Sequence, residues 1–250
     1  MGTLDEVKGL LKNPPKEYRS APFWGWNDKL QKENLGEQIE GFKRAGMGGF
    51  FIHSREGLET EYLSTEWMED VKFCVDKARE NDLELWIYDE DKWPSGAAGG
   101  MVSRENPAEF TARALTMECG KAGKLVVPTK LSTGEKKTTA GEDQAVEQNM
   151  ETEFLQGIYV IQTKADGRFI KRMKEYPTYE EAVGACGEDE EILILRQEIS
   201  GKSEWYNGLM PPDNLNPESV KTFLKLTHEH YEEVLGGSFP KEVKGFFTDE

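Results

Sequence analysis

The stretch Gly48-Gly49-Phe50-Phe51-Ile52-His53-Ser54-Arg55 decides how the chain folds. A half-solvated strand would alternate apolar and polar residues. This run does not alternate, so it predicts a strand buried on both faces, the pattern of a helix-covered parallel sheet. It then breaks off abruptly into polar side chains. Upstream, Ala21-Pro22-Phe23-Trp24-Gly25-Trp26 reads as another strand, ending at Asn27-Asp28. The segment between them places Leu35, Ile39, Phe42 and Ala45 on one helical face and closes at Gly46, a left-handed cap. Downstream, Ser64 is a good N-cap with Glu66 in the first turn. The helix it opens buries Trp67, Val71, Cys74, Val75 and Ala78. A third strand, Leu83-Glu84-Leu85-Trp86-Ile87-Tyr88, runs into Asp89-Glu90-Asp91.

The strand-helix rhythm then lapses. Leu125-Val126-Val127, Gly157-Ile158-Tyr159-Val160-Ile161 and Ile192-Leu193-Ile194-Leu195 read as strands, with a polar loop from Ser132 to Glu153. The sequence therefore predicts an inserted β-rich subdomain over residues 106–212, after three β/α units in residues 1–105. Residues 213–250 resume the rhythm. Asn216-Pro217-Glu218 is a strong helix start. Val220, Phe223, Leu224, Tyr231, Val234 and Leu235 form the apolar face, and Gly236-Gly237 ends the helix. A fourth strand, Val243-Lys244-Gly245-Phe246-Phe247, leads into Thr248-Asp249-Glu250.

Four strands separated by helices indicate an α/β fold. A doubly wound nucleotide enzyme would carry a glycine-rich fingerprint after its first strand, and none is present. Polar and aromatic side chains cluster at the C-terminal end of every strand, as they do around the mouth of a TIM barrel. The expected architecture is thus the first four β/α units of a (β/α)8 barrel. Such a half barrel would leave two apolar sheet edges open, so the sequence predicts a fragment completed by the remainder of its own barrel.

Charge narrows the partners. Lys and Arg number 31 against 47 Asp and Glu, a net charge of −16, which repels nucleic acid and anionic membranes but not a neutral sugar. Cys74, Cys119 and Cys186 are odd in number and widely spaced, so neither a disulfide framework nor a zinc site is expected. The N-terminus lacks a basic segment followed by an apolar core. The expectation is therefore a cytoplasmic chain, with secretion left open if residues precede Met1. No nucleophile elbow, phosphate loop or His-Glu-x-x-His pair occurs.

The strand ends supply the candidate site. Glu250 and Asp249, after an apolar strand, suit a general acid or nucleophile. Asp89, Glu90 and Asp91 could bind sugar hydroxyls, hold a hard cation or include a base; alternatively they form an acidic loop capping backbone N–H groups. His53 and Arg55 are substrate-binding candidates, with a buried structural role open for the histidine. Trp93 offers a flat face to a sugar ring or packs beneath its loop. Trp24, Trp26 and Asn27 are candidates for the pocket floor, with at least one of the two tryptophans expected in the plain core. His228 and His230, two apart on a helix, face different ways and suggest no shared metal.

Four segments taken together resemble a known family: Pro22-Phe23-Trp24-Gly25-Trp26-Asn27-Asp28, Gly48 to Arg55, Trp86-Ile87-Tyr88-Asp89-Glu90-Asp91-Lys92-Trp93-Pro94-Ser95-Gly96, and Phe246-Phe247-Thr248-Asp249-Glu250. In order and spacing they are similar to the catalytic barrel of glycoside hydrolase family 106, the α-L-rhamnosidases and their relatives. The resemblance covers residues 18–105 and 205–250 and is poor over the insertion. It implies hydrolysis of plant or microbial glycans by an inverting carboxylate pair, with Glu250 as general acid and the partner base on a later strand. It also implies a Ca2+ ion near the site, without assigning ligands among these residues. Two other readings stay open: a non-catalytic carbohydrate-binding barrel and a metal-dependent sugar isomerase.

Overall fold

A computed structural model describes residues 3–125, 153–164, 167 and 169–250. In chain order the helices are α1 (Leu4–Lys12), α2 (Lys32–Arg44), α3 (Thr65–Glu80), α4 (Met101–Glu105), α5 (Pro107–Phe110), α6 (Tyr179–Ala185), α7 (Pro217–Leu224) and α8 (His230–Leu235). The strands are β1 (Phe23–Trp26), β2 (Gly49–Ser54), β3 (Glu84–Tyr88), β4 (Arg113–Gly120), β5 (Glu153–Thr163), β6 (Ile170–Tyr176), β7 (Glu191–Ile199) and β8 (Val243–Phe247). They divide into two compact units, residues 1–110 with 202–250, and residues 111–201.

The first unit is built on a parallel sheet of order β1-β2-β3-β8. Its pairings include Phe23 with Phe51, Phe51 with Trp86, and Tyr88 with Phe247. Alternation along each strand sorts the side chains. Trp24, Trp26, Phe50, Ile52, Leu85, Ile87 and Val243 join the core with Leu35 and Ile39 of α2 and Val71 and Cys74 of α3. Burying each large apolar side chain contributes about 1.5–3 kcal/mol. The other sheet face is aromatic. Phe51 stacks on Phe23 and Trp86, and Tyr88 stacks on Phe247. Gly49 lets β2 approach β3 closely, since a Cβ there would sit 2.2 Å from the Glu84 carbonyl oxygen.

The expected helices form with the expected caps. Ser64 accepts from Trp67 N–H, Gly46 adopts φ 76°, and Asn216 accepts from Glu218 N–H. One departure lies between α7 and α8, where Lys225–Glu229 is a π-helical turn rather than regular helix. Within it the Thr227 hydroxyl donates to the Phe223 carbonyl. The described residues give a four-stranded parallel sheet and do not themselves close a barrel.

The second unit is an antiparallel sheet of order β4-β7-β5-β6. Its core is Leu155, Ile158, Val160, Ala182, Ile192 and Ile194, with Tyr179 and Val183 of α6 packed against it. Gly157–Ile161 and Ile192–Leu195 fall inside β5 and β7. Leu125 lies outside any strand; Val126, Val127 and the loop expected over 132–152 lie outside the described residues. The unit is shorter than the expected 106–212, because the flanking segments hold each other within the first unit. Asp213 N–H donates to the Phe110 carbonyl at 2.7 Å, the Asn216 amide to the Glu109 carbonyl at 3.0 Å, and the Ser103 hydroxyl to the Met210 carbonyl at 2.7 Å. Among the described residues no helix is long and apolar enough to cross a membrane.

Candidate active site

The parallel strands all end on one rim, and their polar ends meet there. The β3 end is the organising centre. Asp89 is fully buried and accepts three bonds, from the hydroxyls of Ser95 and Thr248, both at 2.6 Å, and from His228 Nε2 at 2.9 Å. Ser95 in turn is paired with Asp249 through main-chain and hydroxyl bonds of 2.9 and 3.0 Å. The buried carboxylate thus ties the β3 loop, the π-helical turn and the Thr248-Asp249-Glu250 segment together.

Glu90 is also fully buried, and its carboxylate caps the next turn. Five backbone N–H groups, those of Asp91, Gly96, Ala97, Ala98 and Gly99, donate to it over 2.6–3.1 Å. Burial pushes its pKa up to about 7 against the pull of these donors. The turn needs Gly96, whose φ of 126° is open to glycine and whose missing side chain makes room for Asn214.

Asp91 reaches the rim. It accepts from the Ser54 hydroxyl at 2.5 Å and the Asn207 amide at 2.9 Å, with Lys92 Nζ at 3.6 Å. Every oxygen of Asp89, Glu90 and Asp91 accepts from a protein donor, and the two oxygens of Glu90 share five backbone N–H groups, which leaves Glu90 no lone pair for a cation. Among the described residues no three His, Cys, Asp or Glu side chains converge as a metal would require.

On the aromatic sheet face, Phe23, Gly25, His53, Arg55, Tyr88, Phe247 and Asp249 line a cup of about 540 Å³. The Tyr88 hydroxyl donates to Asp249 Oδ2 at 2.8 Å. Burial, reinforced by that carboxylate, pushes the phenol well above its ordinary range. His53 lies against the Tyr88 ring at 3.8 Å between centroids. Burial, then Arg55, lowers its pKa to about 4, so at neutral pH the imidazole is uncharged and can both donate and accept. Arg55 reaches over Gly25. Among the described residues its guanidinium has neither hydrogen bond nor ion pair.

The structure brings His53, Arg55, Asp249 and Asp91 to two cavities that share His53 and Arg55 in their lining. Trp93 is 49% exposed beside them. Asn27 is exposed, outside the lining of these cavities. Asp89 and Glu90 lie beneath the rim, their oxygens committed to the protein. Trp26 is 2% exposed on the opposite, helix-facing side, against Trp24 and Trp67. Glu250 is exposed, with φ 73° and no side-chain bond among the described residues. Ser54, Tyr88, Trp205, Asn207 and His228 were not legible as site residues. Ser54 and Tyr88 flank strand ends and follow from alternation, whereas Trp205 and Asn207 meet Trp93 and Asp91 from 112 and 116 residues along the chain.

No protein-family profile matches the chain, and no curated protein does. Among solved structures the chain is similar to a rhamnosidase from Novosphingobium sp. PP1Y, with a TM-score of 0.51 and 12% identity. The match covers 97% of this chain and 39% of that one, so the chain spans about two fifths of the neighbour's length. At this identity the likeness is one of fold, a distant structural relation to a glycoside hydrolase.

Proposed function

We propose that the chain forms part of a glycoside hydrolase of the α-L-rhamnosidase type, related to glycoside hydrolase family 106, and that its parallel sheet is the first half of a (β/α)8 barrel. The observation that carries this reading is the cup on the aromatic sheet face. There a carboxylate, a neutral imidazole and a guanidinium stand over stacked aromatic rings, at the strand ends where such barrels do their chemistry. A sugar ring presents apolar C–H edges and pairs of hydroxyls, and that mixture suits it.

In this reading Glu250 is the general acid that protonates the leaving oxygen. Asp249, fixed by Tyr88, faces the cup and orients the sugar. His53 and Arg55 bind hydroxyls. The second carboxylate comes from the remainder of the barrel. A metal-dependent isomerase would need several ligands converging at the strand ends, and among the described residues no three His, Cys, Asp or Glu side chains do so. No step here depends on the calcium ion that the family resemblance implies.

The test is hydrolysis of p-nitrophenyl α-L-rhamnoside by the full-length protein. Glu250→Gln should lower kcat by at least a hundredfold and Asp249→Asn by less. Wild-type turnover in Glu250→Gln rules out the acid, and a loss confined to Asp249→Asn transfers the role to Asp249.

A further inference from the structure

Ser95 lines neither the cup nor the small cavity beside it, yet each of its polar atoms meets a distant stretch of chain or the buried Asp89. Its N–H donates to the Asp249 carbonyl at 2.9 Å, and its hydroxyl oxygen accepts from the Asp249 N–H at 3.0 Å. The hydroxyl proton goes to Asp89 Oδ1 at 2.6 Å, and the Ser95 carbonyl accepts from the Asn214 amide at 3.1 Å. The residue is 4% exposed. A buried serine matched in this way cannot turn its hydroxyl elsewhere without leaving a partner unsatisfied.

These bonds carry a strand pairing past its end. The β3–β8 ladder closes on Tyr88 opposite Phe247, with Asp89 N–H donating to the Phe247 carbonyl at 3.2 Å. Beyond that point Asp91 turns away to Ser54 and Asn207, and a strand end left alone would fray. Ser95 takes up the pairing instead. Its N–H and its hydroxyl oxygen satisfy both main-chain groups of Asp249. The orientation of that hydroxyl follows from Asp89. The carboxylate accepts from Ser95, so the proton points inward and a lone pair points at Asp249. At 2.6 Å the bond is in the short range of hydrogen bonds to carboxylates, and donating it makes the same oxygen a better acceptor. Tyr88 fixes the Asp249 side chain and Ser95 its main chain. Glu250 follows directly, so its place depends on that backbone.

We propose that Ser95 is a positioning residue of the reaction, which sets where Asp249 and Glu250 stand at the rim through its paired bonds to the Asp249 main chain. The inference rests on the glycosidase reading of the cup. Ser95 touches no sugar and acts through residue 249. Its loss lets the Thr248-Asp249-Glu250 segment drift, and a reacting group misplaced by about 1 Å can lose ~100-fold in rate. Ground-state binding, assigned to His53 and Arg55, stays as it was.

Ser95→Ala in the full-length protein tests this with two measurements. Hydrogen exchange, read by mass spectrometry, should be at least tenfold faster in the segment from Thr248 to Glu250, and little changed at Ala97, Ala98 and Gly99, which Glu90 holds. With p-nitrophenyl α-L-rhamnoside, kcat should fall at least tenfold at nearly constant KM. Ser95→Thr, which keeps the hydroxyl, should recover most of both. If thermal melting shows the alanine variant unfolded, Ser95→Cys, close in size but a weaker donor and acceptor, takes its place with the same expectations. Unchanged exchange from Thr248 to Glu250, or a folded variant with wild-type kcat, overturns the positioning role and leaves the cup's reading intact. No hydrolysis by the wild type overturns the glycosidase reading and the part of Ser95 in the reaction with it.

Discussion

Asp89 at the end of β3 and His228 in the π-helical turn meet at 2.9 Å, although 139 residues separate them. The π turn is what delivers the histidine. An extra residue in the turn rotates the helix face, and such bulges recur at functional sites. Because Asp89 also accepts from Thr248, the pair fixes the backbone that carries Asp249 and Glu250.

Removing members of this network should therefore cost stability in a set order. Asp89→Ala leaves three donors unsatisfied in a buried site and should cost about 3–5 kcal/mol. His228→Ala removes one of three donors and should cost about 1–2 kcal/mol, whereas His228→Gln, which keeps a donor, should cost less. Urea unfolding of the three variants measures the order. A result with His228→Ala as damaging as Asp89→Ala would show that the histidine does more than donate.

Glu90 gives the larger prediction for a conservative change. Glu90→Gln turns one acceptor oxygen into an amide that faces backbone donors, so donor meets donor. The loss should be about 3 kcal/mol or more, accompanied by faster hydrogen exchange at Ala97, Ala98 and Gly99. Protection unchanged at those amides would mean that the turn is held by other bonds.

How far the sequence carried the structure varies by element. β2 was legible because it is buried on both faces, which leaves an unbroken apolar run, and β1, β3 and β8 because large apolar residues recur in short runs bounded by helix and turn signals. The caps at Ser64, Gly46 and Asn216 were legible because capping is local chemistry. β6, Ile170–Tyr176, was not, because its exposed face is mostly charged. For Asp89 and Glu90 the sequence leaves two readings open, ligands of a sugar or cation and an acidic loop capping backbone N–H groups, because a carboxylate that caps a buried turn has the same sequence as one that meets a sugar; the structure shows the capping bonds of Glu90. Trp205 and Asn207 were invisible for a different reason. Their place at the rim depends on the chain's return from the second unit, which no local pattern encodes.

Tyr88→Phe tests the part of the cup that sequence did not mark. It removes the hydroxyl that holds Asp249 at 2.8 Å and leaves the ring stack intact. A hydrogen bond to a charged group contributes about 1.5–3 kcal/mol. On the proposed glycosidase reading, kcat should fall by roughly 10- to 100-fold with little change in KM. A rise in KM alone would make Tyr88 a binding residue rather than a positioning one.

His53 supplies a pH signature. Its folded pKa of about 4 lies below the ordinary 6.5, so the folded chain binds this proton less readily than the unfolded chain. The stability it contributes is complete above pH ~6.5 and falls as pH drops toward 4. His53→Gln should flatten that part of the stability profile, measured by urea midpoints between pH 4 and 7. A His53 ring titration near 6.5 by NMR would show instead that the imidazole is solvated.

Trp26 and Trp93 look alike in sequence, each beside a strand end, and they should fail in opposite ways. Trp26 is 2% exposed and packs edge-on against Trp67 at 4.9 Å. Truncation to alanine opens a cavity in the helix-facing core and should cost about 3–5 kcal/mol. Its indole N–H is buried without a partner among the described residues, so Trp26→Phe sacrifices no hydrogen bond and should cost much less than Trp26→Ala. Trp93 is half exposed, and Trp93→Ala should change stability by under about 1 kcal/mol. Its effect should fall on sugar binding, because its ring lines a small cavity together with His53 and Arg55. Denaturation and calorimetry on the same three variants separate the two roles. Normal stability in Trp26→Ala, or full sugar affinity in Trp93→Ala, would reverse the assignment for that residue.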